Sequence, residues 1–342
     1  MAEGGAGALF FSRTYDYLAN YLPRQVGKSP ETVRAYRDAL TVFRRYALES
    51  LGKGVGRLTF GDVDRDCVLG WLESMAGEGL SAATRNQRLS AIRSYLWYAA
   101  DCDVAITSVA LSVAGIPRVS GPERVKERLS EGALRAILSA PDQRTRIGCR
   151  DTALMSVLYD TGIRLSELTG LTVGDIHLDD EQPHVYVVGK GDKERPVGIT
   201  DPTVEQVRRH LKMSHADGPK TSDPLFYTRH GGAKCRMSPS NVERLVQRYA
   251  DMARPSCPEV PERVYPHMFR RSRATDLYQQ GVELAMVSRI LGHAKLETTK
   301  VYAVPSMEQM REAMSGVCRT EEPEEPTWLE DEDMMARLCG LR

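Results

Sequence analysis
The chain has 342 residues, 42% hydrophobic and 27% charged, a length that favours two domains and a composition that supplies ordinary apolar cores. It contains no apolar run of about 18 residues for a membrane span, and its Met-Ala-Glu-Gly-Gly start lacks the basic flank and apolar stretch of a signal peptide, so a cytoplasmic protein with no membrane partner is expected. Basic and acidic residues balance at 46 each, but the last 22 residues hold eight acidic and two basic side chains, which leaves the first 320 at +6; the body is mildly basic, which by itself selects no partner.

Residues 8 to 23 are expected to form a first helix, with Leu9, Phe10, Tyr17, Leu18, Tyr21 and Leu22 as its apolar side. Ser29-Pro30-Glu31 then gives a helix start: a serine N-cap, proline at the first helical position, and an acid at the positive end of the dipole. That second helix runs to about Ser50, with Val33, Tyr36, Leu40 and Phe43 inside and Arg34, Arg37, Arg44 and Arg45 at the surface. Thr59 to Met75 reads as a third helix, ended by Gly77 and Gly79. Ser81 caps a fourth, to about Ala100, with Leu89, Ile92 and Leu96 on its apolar face. Arg85 and Arg88 share another face, followed by Arg93; such a run is commonly a solvated face, but it also suits the major groove of DNA. Four helices without strand signals make an all-helical N-terminal domain, placed at residues 1 to 114.

Residues 102 to 127 change character. Gly115, Pro117, Gly121 and Pro122 are interleaved with Arg118, Arg124, Lys126 and Arg128, which reads as a basic interdomain linker centred on 115 to 128. Its charges suit a strap across a phosphate backbone, and would also serve solubility. A second domain is placed at 129 to 318. Ser130 caps a helix to about Ser139, and an apolar helix spans roughly Arg150 to Thr161. Gly162 to Leu168 opens another, on which Arg164 and Glu167 stand three apart. The carboxylate would hold the guanidinium in one orientation; a plain surface ion pair is the alternative. His184 to Ile199 alternates as a hairpin whose tip, Gly189 to Lys193, lacks the spacing of a P-loop. Residues 202 to 213 are helical, and Ser238-Pro239 starts a helix that carries Arg244 and Arg248.

Between Val264 and Tyr302 lie His267, Arg270, His293 and Tyr302. Arginine donates two parallel hydrogen bonds to a phosphate and keeps its charge, histidine adds a donor, and tyrosine serves as a nucleophile. The set points to phosphodiester chemistry. Seven cysteines, at 67, 102, 149, 235, 257, 318 and 339, include no Cys-x-x-Cys pair, so neither a disulfide framework nor a zinc site is indicated. No cluster of metal ligands and no nucleotide motif is apparent. The acidic tail, 319 to 342, contains Thr327-Trp328-Leu329-Glu330 with the spacing of a capping box, then Met335, Leu338 and Cys339 as an apolar stripe. A helix this short needs a partner surface.

Gly162-Ile163-Arg164-Leu165-Ser166-Glu167-Leu168, Gly189 to Arg195, His267-Met268-Phe269-Arg270, Leu291-Gly292-His293 and Tyr302 resemble, in order and spacing, the motifs of the tyrosine site-specific recombinases, which include phage integrases and the Xer proteins. Thr84 to Ala99 also looks like the last helix of that family's core-binding domain, and the resemblance covers roughly residues 10 to 305. It implies a mainly α fold with a small antiparallel β-sheet: an all-helical SAM-like N-terminal domain followed by a mixed α+β catalytic domain. It also implies roles. Arg164 and Arg270 would clamp the scissile phosphate, supported by Glu167, and His267 and His293 would donate to its non-bridging oxygens. Tyr302 would attack phosphorus to give a 3′-phosphotyrosyl link, and Lys190 would protonate the leaving 5′-oxygen, with Lys193 as the other lysine of that tip. No metal, ATP or other cofactor is expected.

The implied partner is double-stranded DNA, gripped through Arg34, Arg37, Arg85, Arg88, Arg93, Arg118, Arg124, Lys126 and Arg244. A homotetramer on paired sites, with the tail exchanged between protomers and accessory DNA-bending proteins as possible partners, is the implied assembly, acting to mobilise or resolve a DNA element. Two positions depart from the pattern: Arg271 and Val304 stand where the family usually has histidine. A type IB topoisomerase-like enzyme and a catalytically silent DNA-binding protein are the alternatives.

Overall fold
A computed structural model of the chain describes residues 7–121, 127–189, 194–215, 218–293, 296–303 and 332–341, with 305, 307, 309–311 and 314. The expectations for Lys190, Lys193, Arg124, Lys126, Val304 and Trp328 fall outside these residues. The chain divides into two compact units, Met1–Val125 and Lys126–Arg342. Among the described residues no helix is long and apolar enough to cross a membrane.

The first unit is all helical. A 3-10 turn, Phe10–Arg13, leads through α1 (Thr14–Asp16) into a π-helical stretch, Tyr17–Gln25, that contains Pro23. Helix α2 (Pro30–Leu51) begins at Ser29, whose hydroxyl accepts the Thr32 amide, and ends at Gly52 with φ +63°. The helix expected over Thr59 to Met75 is interrupted. A 3-10 turn, Phe60–Asp62, comes first, and Asp64, in extended backbone, takes the Cys67 amide and caps α3 (Arg65–Gly77). Two aspartates three residues into the segment compete for backbone amides and break it in two. Helix α4 (Ala82–Cys102) starts at Ser81. Phe10, Tyr17, Phe43, Phe60, Trp71 and Tyr95, all fully buried, fill the core between these helices.

Residues 102 to 127 are not uniformly a linker. Val104–Ile106 forms a 3-10 turn and α5 (Thr107–Ala114) follows, burying Ile106, Ala110, Val113 and Ile116 in the same core. The next residues stay pinned to α4. Arg93 donates to the carbonyls of Val113 (3.2 Å) and Ile116, and the Asn86 amide group exchanges two 2.9 Å bonds with the Val119 backbone. The apolar residues at i, i+3 and i+4 carried the helix signal; the flanking Gly and Pro obscured it.

In the second unit α6 (Glu131–Ser139), α7 (Arg146–Thr161) and α8 (Leu165–Gly170) precede a three-stranded antiparallel sheet, β1 (Ile176–His177), β2 (His184–Val188) and β3 (Glu194–Gly198). In β2, Val185 and Val187 face the core while alternate residues face out, as period-2 pairing requires. Helix α9 (Asp201–Ser214) is followed by a second hairpin that sequence patterning missed, β4 (Tyr227–His230) with β5 (Ala233–Arg236). Then come α10 (Pro239–Ala253), α11 (Pro266–Gln279), α12 (Leu284–Leu291), α13 (Glu297–Lys300) and, in the tail, α14 (Glu332–Leu338). Helix α7 is the centre of this unit, with Ala153, Leu154, Met155, Val157 and Leu158 buried.

Candidate active site
Two helix ends build the site. Helix α7 ends at Gly162 with φ +59°, and α12 ends at Gly292 with φ +65°, each in the left-handed region that favours glycine. These turns aim the carbonyls of Gly162, Leu291 and Gly292 inward, and arginines from three other elements bond to them. Arg270 of α11, 2% exposed, donates to Gly162 O (2.6 Å) and Leu291 O (2.8 Å). Arg164, at the N-cap of α8, donates to Gly292 O at 3.0 Å. Arg195 of β3 donates to Ile290 O and Leu291 O, both at 3.3 Å.

Glu167 joins two of these cations. Its carboxylate accepts from the Arg164 amide and from Arg164 Nη1, each at 2.8 Å, and from Arg195 Nη2 at 3.0 Å. Burial pushes this carboxyl up, but the bonds from Arg195 and Arg164 outweigh burial and hold it below the usual range. The expected Arg164–Glu167 pairing is therefore present, with Arg164 partly exposed, in a network with a third member. Arg195 was not singled out from sequence, although its period-2 position beside the buried Val197 was a signal: an inward-facing arginine needs a buried acid.

His293 links the arginines to the tyrosine. Its Nε2 lies 2.7 Å from Arg270 Nη2 and its Nδ1 2.7 Å from Thr299 Oγ1. Arginine has only donors, so Nε2 accepts and the proton sits on Nδ1, directed at Thr299. Burial first, then the charges of Arg270 and Arg164, lower the His293 pKa to about 4, which keeps it neutral. The same burial and the neighbouring Arg164 lower Arg270 to about 10, so its charge persists at neutral pH. The His293 ring stacks on Tyr302, with centroids 6.0 Å apart and 25° between planes. Tyr302 follows α13 and is 5% exposed, packed with Ala274, Leu277, Val287 and Leu291.

A cavity of about 390 Å³ opens beside these groups, lined by Arg164, Ser166, Glu243, Tyr265, His267 and Arg270 among others. His267, on the first turn of α11, is exposed. The structure thus gathers Arg164, Glu167, Arg270, His293 and Tyr302, with His267 at the rim. Arg271, at the departure position, turns elsewhere: its Nη1 donates to Glu127 O at 2.8 Å.

The residues expected to meet DNA are placed unevenly. Arg34, Arg37, Arg118 and Arg244 are exposed, and Arg85, Arg88 and Arg93 are half-buried. Arg93 is committed to two carbonyls of its own unit, and Arg88 Nη1 lies 3.2 Å from Met75 Sδ. Arg244 bonds Ser240 O and Asn241 Oδ1 on its own helix.

Residues 127–309 match the family profile described as Phage integrase family, and residues 16–101 match Phage integrase, N-terminal SAM-like domain. A putative integrase/recombinase of Sinorhizobium fredii is 31% identical over 95% of this chain and 96% of its own length. The tyrosine recombinase XerD of Pseudomonas aeruginosa is 30% identical over 84% of this chain and 91% of its own. Among solved structures, the XerH site-specific recombinase bound to palindromic difH substrate superposes with a TM-score of 0.68 at 21% identity, covering 89% of this chain and 84% of that one. A lambda integrase dimer bound to a core site gives 0.60 at 20% identity, covering 85% and 77%.

Proposed function
Because the chain belongs to the phage integrase family and is a tyrosine recombinase, we propose that it cuts and rejoins double-stranded DNA through a covalent link to Tyr302. The observation that carries this reading is the pairing of Glu167 with Arg164 and the run Arg270–His293–Tyr302, next to a cavity that Arg164, His267 and Arg270 line. A phosphodiester seated between Arg164 and Arg270 meets preorganised donors, which stabilise the charge that builds on its oxygens. Tyr302 Oη attacks phosphorus, the P–O5′ bond breaks, and the phenol proton lost is matched by one delivered to the 5′-oxygen, by Lys190 on the family's pattern. The phosphotyrosyl ester conserves the bond energy, so a second 5′-hydroxyl reverses the step without ATP.

His293 Nε2 accepts from Arg270; a phosphate that takes over the Arg270 donors frees Nε2, and its negative charge favours the protonated ring, which then donates to a phosphoryl oxygen. The N-terminal SAM-like domain supplies the second DNA surface through its exposed arginines, the protein works in the cytoplasm, and a tetramer on paired sites moves or resolves a DNA element.

The test is covalent capture. Wild type and Tyr302→Phe are incubated with fragmented source DNA, denatured in detergent, and the attached DNA is sequenced. DNA retained by wild type alone, with both proteins binding reversibly, is the expected result. Retention by both, or by neither, removes Tyr302 as the nucleophile.

A further inference from the structure
We propose that the β1–β2 turn is a binding site for a divalent transition-metal ion, formed by His177, Asp180 and His184 and separate from the recombination chemistry. The register of the sheet supplies the first part. His177 pairs with His184 across β1 and β2, so two histidines seven positions apart leave the sheet side by side. With Val185 and Val187 turned to the core, His184 and Tyr186 share the outer face. The two imidazoles lie parallel, 5° between planes with centroids 4.8 Å apart, and the Tyr186 ring meets both edge-on, at 5.2 and 4.9 Å. Ring orientation is thus set by packing before any ion arrives.

Asp180 supplies the third ligand. Its Oδ2 lies 3.6 Å from His177 Nδ1 and 3.9 Å from His184 Nδ1, and one donor atom from each residue lies within 4.8 Å of the others. The turn around it is fixed from outside. Arg208 donates to Leu178 O (3.1 Å) and to Asp179 Oδ1 (2.8 Å), and the Ile199 amide donates to Pro183 O (3.0 Å). Asp179 therefore faces Arg208 while Asp180 faces the imidazoles. His184 Nδ1 donates to the Gln182 carbonyl at 2.8 Å, a bond and a proton that an ion bound at Nδ1 displaces.

Two imidazoles with a carboxylate suit Zn²⁺, Ni²⁺ or Cu²⁺ over Mg²⁺ or Ca²⁺, whose preferred ligands are all oxygen. Ligand bonds of about 2.0–2.2 Å require these donors to close by roughly an ångström, a side-chain adjustment at residues that are 36%, 53% and 19% exposed in chain order. The cysteine count gave no hint of this site, because only strand pairing brings its ligands together. A bound ion would tie β1 to β2, in the sheet that carries Arg195.

Equilibrium dialysis of the untagged, chelator-stripped full chain against Zn²⁺ and Co²⁺ tests the proposal. Wild type is expected to bind one equivalent. His177→Gln, His184→Gln and Asp180→Asn should each weaken binding by at least about 100-fold, since even the outer partners of metal ligands are worth roughly 10- to 100-fold. Absence of stoichiometric binding, unchanged affinity in the His177 and His184 variants, or a thiolate-to-cobalt charge-transfer band that assigns the ion to a cysteine would overturn it.

Discussion

Among the described residues Glu167 is the acid that pairs with two site arginines, and it is 8% exposed. In Glu167→Gln, Arg195, itself only 17% exposed at the side chain, loses its counter-charge. Removing one partner of a buried pair costs about 3 kcal/mol, and a misplaced Arg164 costs about 100-fold in strand cleavage. Urea melts and single-turnover cleavage check the two effects; unchanged values in both would show that backbone carbonyls alone hold the arginines.

His210 makes a second prediction at this scale. Burial lowers it to about 4 against the opposing bond to Leu225 O, and His293 stands at about 4 as well, whereas both take a proton near 6.5 when unfolded. Between these values the unfolded chain binds more protons, so stability is complete above about pH 6.5 and falls on acidification toward pH 4. The fully buried His210 contributes up to about 1.4 kcal/mol per pH unit in that window. Melts at pH 7, 6 and 5 should show the slope, and His210→Gln should reduce it, leaving the share that His293 contributes. The residues that carry opposite charge or a lone reactive group, Arg164, Glu167, Arg270, His293 and Tyr302, were legible in the sequence because their chemistry has few structural uses. Thr299 was not, because a threonine in a four-residue helix has many uses, and its 2.7 Å bond to His293 gives it one.

Helix starts were legible because capping is local: Ser29, Ser81, Ser130 and Ser238 each accept an amide three residues on. The β4–β5 hairpin was not, since its four-residue strands are mostly exposed and offer no apolar alternation to read. At the ends of α7 and α12 the elements do more than stop. A Cβ on Gly292 would come 2.5 Å from Arg195 Cζ, and the residue also has φ +65°. Gly292→Ala is expected to cost about 1–2 kcal/mol for the backbone alone, and to displace Arg195 and with it Glu167, so cleavage falls too. Gly281→Ala is the control. Its φ is +87° with nothing within 4 Å, so stability drops and cleavage per folded molecule stays. Equal cleavage by the two variants would break the link between that turn and the site.

At the scale of the molecule, α14 has no buried residue: Met334 and Leu338 are 50% and 67% exposed. Seven helical residues do not sustain themselves in water. Removal of residues 320–342 is expected to weaken assembly on paired DNA sites by about tenfold or more, each tenfold being about 1.4 kcal/mol. Sedimentation with a two-site DNA measures it; normal assembly by the truncated protein would discard the tail as a link between protomers. That the chain forms two units was legible from its length, while the division falls at Val125 and Lys126, past the change at Gly115. The packing of α5 onto the first core was not, because its apolar residues sit among the small and turn-forming residues of a linker-like stretch.

Three arginines hang on the oxygens of residues 162, 290, 291 and 292, which no side-chain replacement deletes. An alanine scan would therefore pass over much of what positions the phosphate clamp and report the ends of α7 and α12 as inert wherever the backbone path survives. Backbone chemistry, such as amide-to-ester exchange at these peptide bonds, is the perturbation to which the clamp is exposed.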